Sequence, residues 1–249
     1  MIGCIIQARM GSSRLPGKVM MELDDGNTIL EYVVKQLSFC KLIDKKIIAT
    51  TNLEQDNVIE EAAKILGLEF FRGSPENVLE RYYECAKRFS VKHILRITSD
   101  CPLIDPEIVD RVIEEYLTKK YDYVSNTLVR TFPIGMDAEI FSFDILEKTW
   151  RNATLQSEKE HVTPYIRNKK GSFKLKNIQN LEKMDHLRLT LDRIEDYNLI
   201  KKVTSEIDKR PIVMKDVLDL FSKQPELIKI NGHISPDEGM LKSPESDRK

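Results

Sequence analysis

"MIGCIIQARMGSSRLPGK", residues 1–18, decides the fold. An apolar run passes at once into a stretch that holds Arg9, Arg14 and Lys18 among serines and glycines. Residues 1–7 predict a short strand buried on both faces. Residues 8–18 show neither helical nor strand period and read as a loop. A buried strand feeding such a loop is the start of a strand–helix unit, and the chain repeats that unit. Residues 28–40 place Ile29, Leu30, Val33, Val34 and Leu37 at helical spacing behind Thr28 as N-cap. Residues 45–51 read as a strand, 54–67 as a helix stopped by Gly67, and 68–73 as a strand. Residues 74–89 read as a helix with Ser74 as N-cap, Pro75 at the first position and Asn77 at the third. A strand over 92–100, a helix over 105–119 capped by Asp105, and a strand over 121–126 complete the first half. This alternation predicts an α/β fold with a mostly parallel central sheet and helices on both faces.

The second half is less regular. Strands are predicted over 135–142, 172–178 and 186–192, and helices over 143–153, 157–167, 194–207 and 214–223. One domain over 1–224 is expected, followed by a polar arm or tail over 225–249. Charged residues are 32% of the 249, yet the formal net charge is -1, which argues against bulk attraction to nucleic acid or a membrane. Cys4, Cys40, Cys85 and Cys101 form no CxxC pair, and they are expected to be free thiols in a reducing cytoplasm. No signal peptide and no bilayer-spanning segment is expected.

In open α/β sheets ligands bind beyond the carboxyl ends of the strands. The polar residues there are therefore the candidates. Gln7, Ala8, Arg9, Gly11, Ser12, Arg14 and Lys18 lie in or beside the first loop. Its backbone N–H groups and its cations suit phosphate oxygens, although a solvated surface loop would have the same composition. GxxxxGK[ST] and GxGxxG are both absent. Thr98, Ser99 and Asp100 end an apolar strand; Asp100 suits Mg²⁺, or simply accepts backbone N–H bonds in its turn. Asp192 ends another predicted strand. If the two strands were neighbours, the two carboxylates could clamp one metal. Arg72, Ser74 and Arg81 could meet a base or ribose, with capping the competing role of Ser74. His161 lies in a helix interrupted by Pro164 and is either a substrate contact or structural.

Taken in order, "IIQARMGSSRLPGK", "FRGSPENVLERYY", "RITSDCPLIDP", "EKEHVTPYI" and "LTLDRIEDY" resemble the SpsF-type spore coat polysaccharide biosynthesis family, which groups with cytidylyltransferases that make CMP-linked sugar acids. The resemblance covers about residues 1–224. It implies a GT-A-like nucleotidyltransferase fold, CTP as donor, Mg²⁺ as cofactor and pyrophosphate as product. It matches Arg9, Ser12, Arg14 and Lys18 to a triphosphate-binding loop, and Asp100 and Asp192 to the metal aspartates. The second aspartate motif reads Asp192-Arg193-Ile194-Glu195-Asp196 here, without the related Thr-Pro. An anionic acceptor would meet Arg130, His161 and Arg167. Residues 126–165 resemble a dimerisation region, so a homodimer is expected. A GT-A glycosyltransferase using a nucleotide sugar, or a nucleotide-binding module without catalysis, are the competing readings.

Overall fold

The apolar N-terminal run is the central strand, β1 (Ile2–Gln7). Cys4, Ile5 and Ile6 have no exposed surface, as a strand covered on both faces requires. The computed structural model describes residues 1–24, 26–168 and 171–235. After β1 come the short strands β2 (Glu22–Asp24) and β3 (Asn27–Thr28), then α1 (Ile29–Leu37), β4 (Lys45–Thr51), α2 (Asn57–Ile65), β5 (Glu69–Gly73) and α3 (Val78–Arg88). They are followed by β6 (His93–Thr98), α4 (Pro106–Leu117), β7 (Tyr123–Ser125), β8 (Glu139–Ser142), α5 (Phe143–Asn152), α6 (Gln156–His161) and α7 (Pro164–Asn168). β9 (Leu175–Asn177), α8 (Ile194–Glu206) and α9 (Met214–Lys223) complete the order.

Seven strands form the main sheet in the order β5-β4-β1-β6-β8-β7-β9. β5, β4, β1 and β6 run parallel, β8 is antiparallel to both β6 and β7, and β9 runs parallel to β7. The mixed, mostly parallel sheet expected from the sequence is present. The alternation of β1 splits the core into two layers. Cys4 and Ile6 pack with α1, α2, α4, α8 and α9, while Ile5 packs with α3, α5 and α7. The chain leaves β1 for β4 on one side and reaches β6 on the other. The carboxyl ends of β1 and β6 therefore flank a topological switch point.

Four expectations need correction. The helix expected from Ser74 starts at Val78, because Asn77 Oδ1 takes the Glu80 N–H at 3.0 Å, while Ser74 Oγ accepts from Asn77 N and closes a turn. The helix expected over 157–167 is two short ones, broken where Val162 adopts φ +70° and Pro164 restarts the chain. The strand expected over 186–192 does not form: His186 lies in a turn, and Arg188 makes an isolated bridge to Ile134 outside the sheet. Ile134 N donates to Leu187 O at 2.9 Å and Leu189 N to Ile134 O at 2.7 Å, which holds this segment against residue 134 instead. The arm expected from 225 begins as a packed 3-10 turn, Pro225–Ile230, that buries Leu227, followed by buried Asn231 and Ile234; the rest of that arm, 236–249, lies outside the described residues. All four cysteines are free thiols, and among the described residues no helix is long and apolar enough to cross a membrane.

Candidate active site

The loop after β1 folds back on itself: Ser12 N and Gly17 N both donate to Met10 O, at 2.8 and 3.0 Å. Gly17, at φ +72°, supplies the left-handed conformation that starts the next turn, and Lys18 follows it. Lys18 is buried, and its ammonium makes three hydrogen bonds. It donates to Leu191 O at 2.6 Å, Asp192 Oδ1 at 2.8 Å and Asp100 Oδ2 at 2.9 Å. Asp100 stands just past β6. Its carbonyl accepts from Leu191 N at 2.8 Å, and this bond stitches the segment carrying Asp192 to the end of β6. The two carboxylates that the sequence could not show to be neighbours thus converge on one cation position.

Asp192 is held from three sides. Arg14 Nη2 donates to its Oδ1 at 2.8 Å and Arg188 Nη2 to its Oδ2 at 3.2 Å. Arg188 also grips Asp196, whose carboxylate accepts from the backbone of Asp192 and Arg193 and from Asn231. Asp196 is therefore a buried structural knot rather than only a favourable acid at a helix start. Burial favours the neutral acid at Asp192, but Lys18 and Arg14 outweigh it and hold the carboxyl at about 2. Asp100 is likewise held below the usual range, with Lys18 overcoming burial. Lys18 is raised in turn, because the two carboxylates outweigh the cost of burying its charge.

These groups stand on a cleft of about 490 Å³, within the usual size of a small-molecule site. Seven arginine and lysine side chains line it against four carboxylates, a surplus that suits a multiply negative ligand. Gln7, Ala8, Arg9, Ser12, Arg14, Lys18, Arg81, Thr98, Ser99, Asp100, Arg130, His161 and Asp192 all lie in the wall. Arg81 is 1% exposed, donates to Ser74 O at 2.8 Å and makes no ion pair among the described residues. Burial, with the charge of Arg9 adding to it, holds its pKa below the usual guanidinium value. A buried cation without a carboxylate is costly unless an anion meets it.

Four candidates lie outside the wall. Gly11 is in the same loop but outside the lining. Arg72 sits on β5, two strands from the switch point, and is consumed by Thr51 O, Leu53 O, Asn57 and Glu60. Ser74 serves its own turn and receives Arg81. Arg167 is not a lining residue, and its charge falls on Glu139 and Tyr123. Conversely, Arg96, Asp137, Glu160 and Arg188 line the cleft without having been singled out from the sequence. Arg96 pairs with Glu139 at 2.5 Å, and Glu139 also accepts from Thr163 Oγ1 at 2.8 Å, which ties β6 and β8 to the turn bearing His161. Arg130 is bidentate on Asp137 at 2.5 and 2.8 Å. A polar residue inside an otherwise apolar run, as in "HILRIT" and "HLRLTLD", was the available signal for Arg96 and Arg188.

No three-acid or histidine–cysteine cluster capable of holding a metal occurs among the described residues. Asp100 and Asp192 nevertheless fit Mg²⁺, which takes one or two carboxylates and fills its remaining positions with water and phosphate oxygens. Their oxygens already share one cation, the Lys18 ammonium.

Sheet order, switch point and cationic cleft define an α/β nucleotidyltransferase. A cytidylyltransferase from Leptospira borgpetersenii superposes with a TM-score of 0.88 at 37% identity, covering 91% of this chain and 96% of that one. CMP:2-keto-3-deoxy-manno-octonic acid synthetase, solved with CTP, shares the fold at a TM-score of 0.66 and 13% identity, covering 82% of this chain and 98% of that one. The spore coat polysaccharide biosynthesis protein SpsF of Bacillus subtilis is 34% identical, over 89% of this chain and 94% of its own length. Residues 3–227 match the cytidylyltransferase family model, and the chain belongs to that family. It is a CTP-dependent nucleotidyltransferase.

Proposed function

We propose that the enzyme transfers CMP from CTP to a small anionic acceptor, a sugar acid or a phosphate- or phosphonate-bearing metabolite, with release of pyrophosphate. The observation that carries this reading is the cationic wall, in which Arg9 and Arg81 make no ion pair among the described residues, standing on the same cleft as the Asp100–Asp192 pair. Arg9, Arg81, Arg14 and the loop backbone receive the triphosphate and hold the α-phosphorus in line with the acceptor oxygen. Asp100 and Asp192 would hold Mg²⁺. Bound there, the ion would neutralise charge on the phosphates. Lys18 supplies a further positive charge on the same side. His161 and Arg130 are the lining residues assigned to the acceptor; a carboxylate or phosphate acceptor needs no base from the protein. The name of the Bacillus relative supports a role in surface polysaccharide or glycan synthesis. A cytoplasmic homodimer, joined through 126–165, belongs to the same reading, and light scattering of the full chain tests the dimer.

The decisive assay is pyrophosphate release from CTP and Mg²⁺ across a panel of anionic acceptors, with Asp100→Asn as control. One acceptor should give turnover that Asp100→Asn reduces by about a hundredfold or more, the scale of losing a charge-positioning group. Turnover with neutral acceptors alone would refute the acceptor class.

A further inference from the structure

Lys18 cannot serve the triphosphate from where it stands. An ammonium has three hydrogens to donate, and those of Lys18 are committed to Asp100 Oδ2, Asp192 Oδ1 and Leu191 O. The same two carboxylate oxygens are the ones that converge. The other oxygen of Asp192 faces Arg188, and that of Asp100 faces the Cys101 thiol at 3.7 Å. A divalent ion that took the same two oxygens would compete for their lone pairs with an ammonium 2.8–2.9 Å from them and would be repelled by its charge. The two cations therefore compete for the pair.

We infer that Lys18 is a displaceable counter-cation: without metal it holds Asp100 and Asp192 together, and it gives up that place to the divalent ion and turns its ammonium to the nucleotide phosphates. This rests on the reading that the aspartate pair holds Mg²⁺. Its side chain has the rotatable length to do so, and Gly17 in the left-handed conformation fixes the backbone from which it swings. The consequence is thermodynamic coupling. Metal binding costs the lysine its anionic partners, and nucleotide binding supplies new ones. Each ligand therefore raises the affinity for the other, and the nucleotide-free enzyme binds metal weakly.

Mn²⁺ binding to the full chain, followed by electron paramagnetic resonance of the free ion, tests this. The wild type should bind Mn²⁺ weakly alone and about tenfold or more tightly with CTP. Lys18→Met should bind Mn²⁺ alone about tenfold better than the wild type and gain less from CTP, and Asp100→Asn should lose the site in either background. Unchanged or weaker Mn²⁺ binding by Lys18→Met, with CTP-supported binding intact in the wild type, overturns the counter-cation role and leaves the metal assignment standing. Absence of Mn²⁺ binding in the wild type even with CTP overturns both. Should Lys18→Met fail to fold, the wild type labelled with ¹⁵N-lysine suffices. A protected Lys18 Nζ resonance should be present in the free enzyme and shift on adding Mg²⁺ and CTP together; a resonance that stays in place overturns the proposal.

Discussion

Asp192 shows how much a single carboxylate can be asked to hold. Lys18, Arg14 and Arg188 all reach it, and its pKa of about 2 lies below its ordinary 3.8. A carboxyl whose pKa is depressed by folding stabilises the folded state above its unfolded value and loses that contribution as pH falls through the folded one. The contribution is therefore complete above about pH 4 and fades toward pH 2, and is worth about 2 kcal/mol at neutral pH. Asp192→Asn should lower the urea midpoint at pH 7, and the decline in midpoint between pH 6 and pH 3 should be shallower than in the wild type. Parallel declines would show that the ion cluster adds nothing acid-labile to stability. At this scale the sequence was informative where polarity follows an apolar run, which marked Lys18, Asp100 and Asp192. It offered Arg188 only as a polar residue in an apolar run and was mute on its grip of Asp196, because that depends on which segments meet in space.

The segment that brings Asp192 to Asp100 is irregular and pinned from outside the sheet. Alternation in "HLRLTLD" predicts a strand, but a period of two says nothing about the pairing partner, and the segment makes only an isolated bridge among the described residues. The pin is residues 134–135. Ile134 exchanges hydrogen bonds with Leu187 and Leu189, and Gly135 follows at φ +102° with the Leu189 carbonyl carbon 2.5 Å from where a Cβ would stand. No side chain fits there without moving the backbone that leads to Asp192. Gly135→Ala therefore meets both a strained φ and a backbone clash, each worth about 1–3 kcal/mol. Expected outcomes are a melting temperature lower by several degrees and a fall in kcat/KM of about tenfold or more, since the carboxylate pair separates. A variant that melts lower yet turns over normally would mean that this segment does not set the pair. The same limit explains α3. Ser74 and Asn77 are both good caps, and only the turn closed by the Ser74 hydroxyl settles the choice for Asn77.

At the scale of the whole molecule, the chain closes its helical layer with a segment whose polarity conceals it. Leu227, Asn231 and Ile234 are buried among residues that otherwise read as a solvated arm, and three well-placed contacts are enough to dock it. Asn231 Nδ2 donates to Arg188 O and to Asp196 Oδ1, both at 2.9 Å, so the end of this segment braces the knot beneath Asp192. A chain ending at Gln224 should thus lose more than apolar area. Two buried aliphatic side chains contribute about 1.5–3 kcal/mol each, and stranding the partners of Asn231 adds about 1 kcal/mol or more. At roughly 2–4 °C per kcal/mol, the melting temperature should fall by about 10–20 °C relative to a chain ending at residue 235. CTP-supported Mn²⁺ binding should weaken in the same comparison. Asn231→Ala within the full chain separates the two effects: it keeps Leu227 and Ile234, so most of the thermal stability should remain while Mn²⁺ binding weakens. Equal melting temperatures for chains ending at 224 and 235 would show that residues 225–235 only rest on the surface and brace nothing.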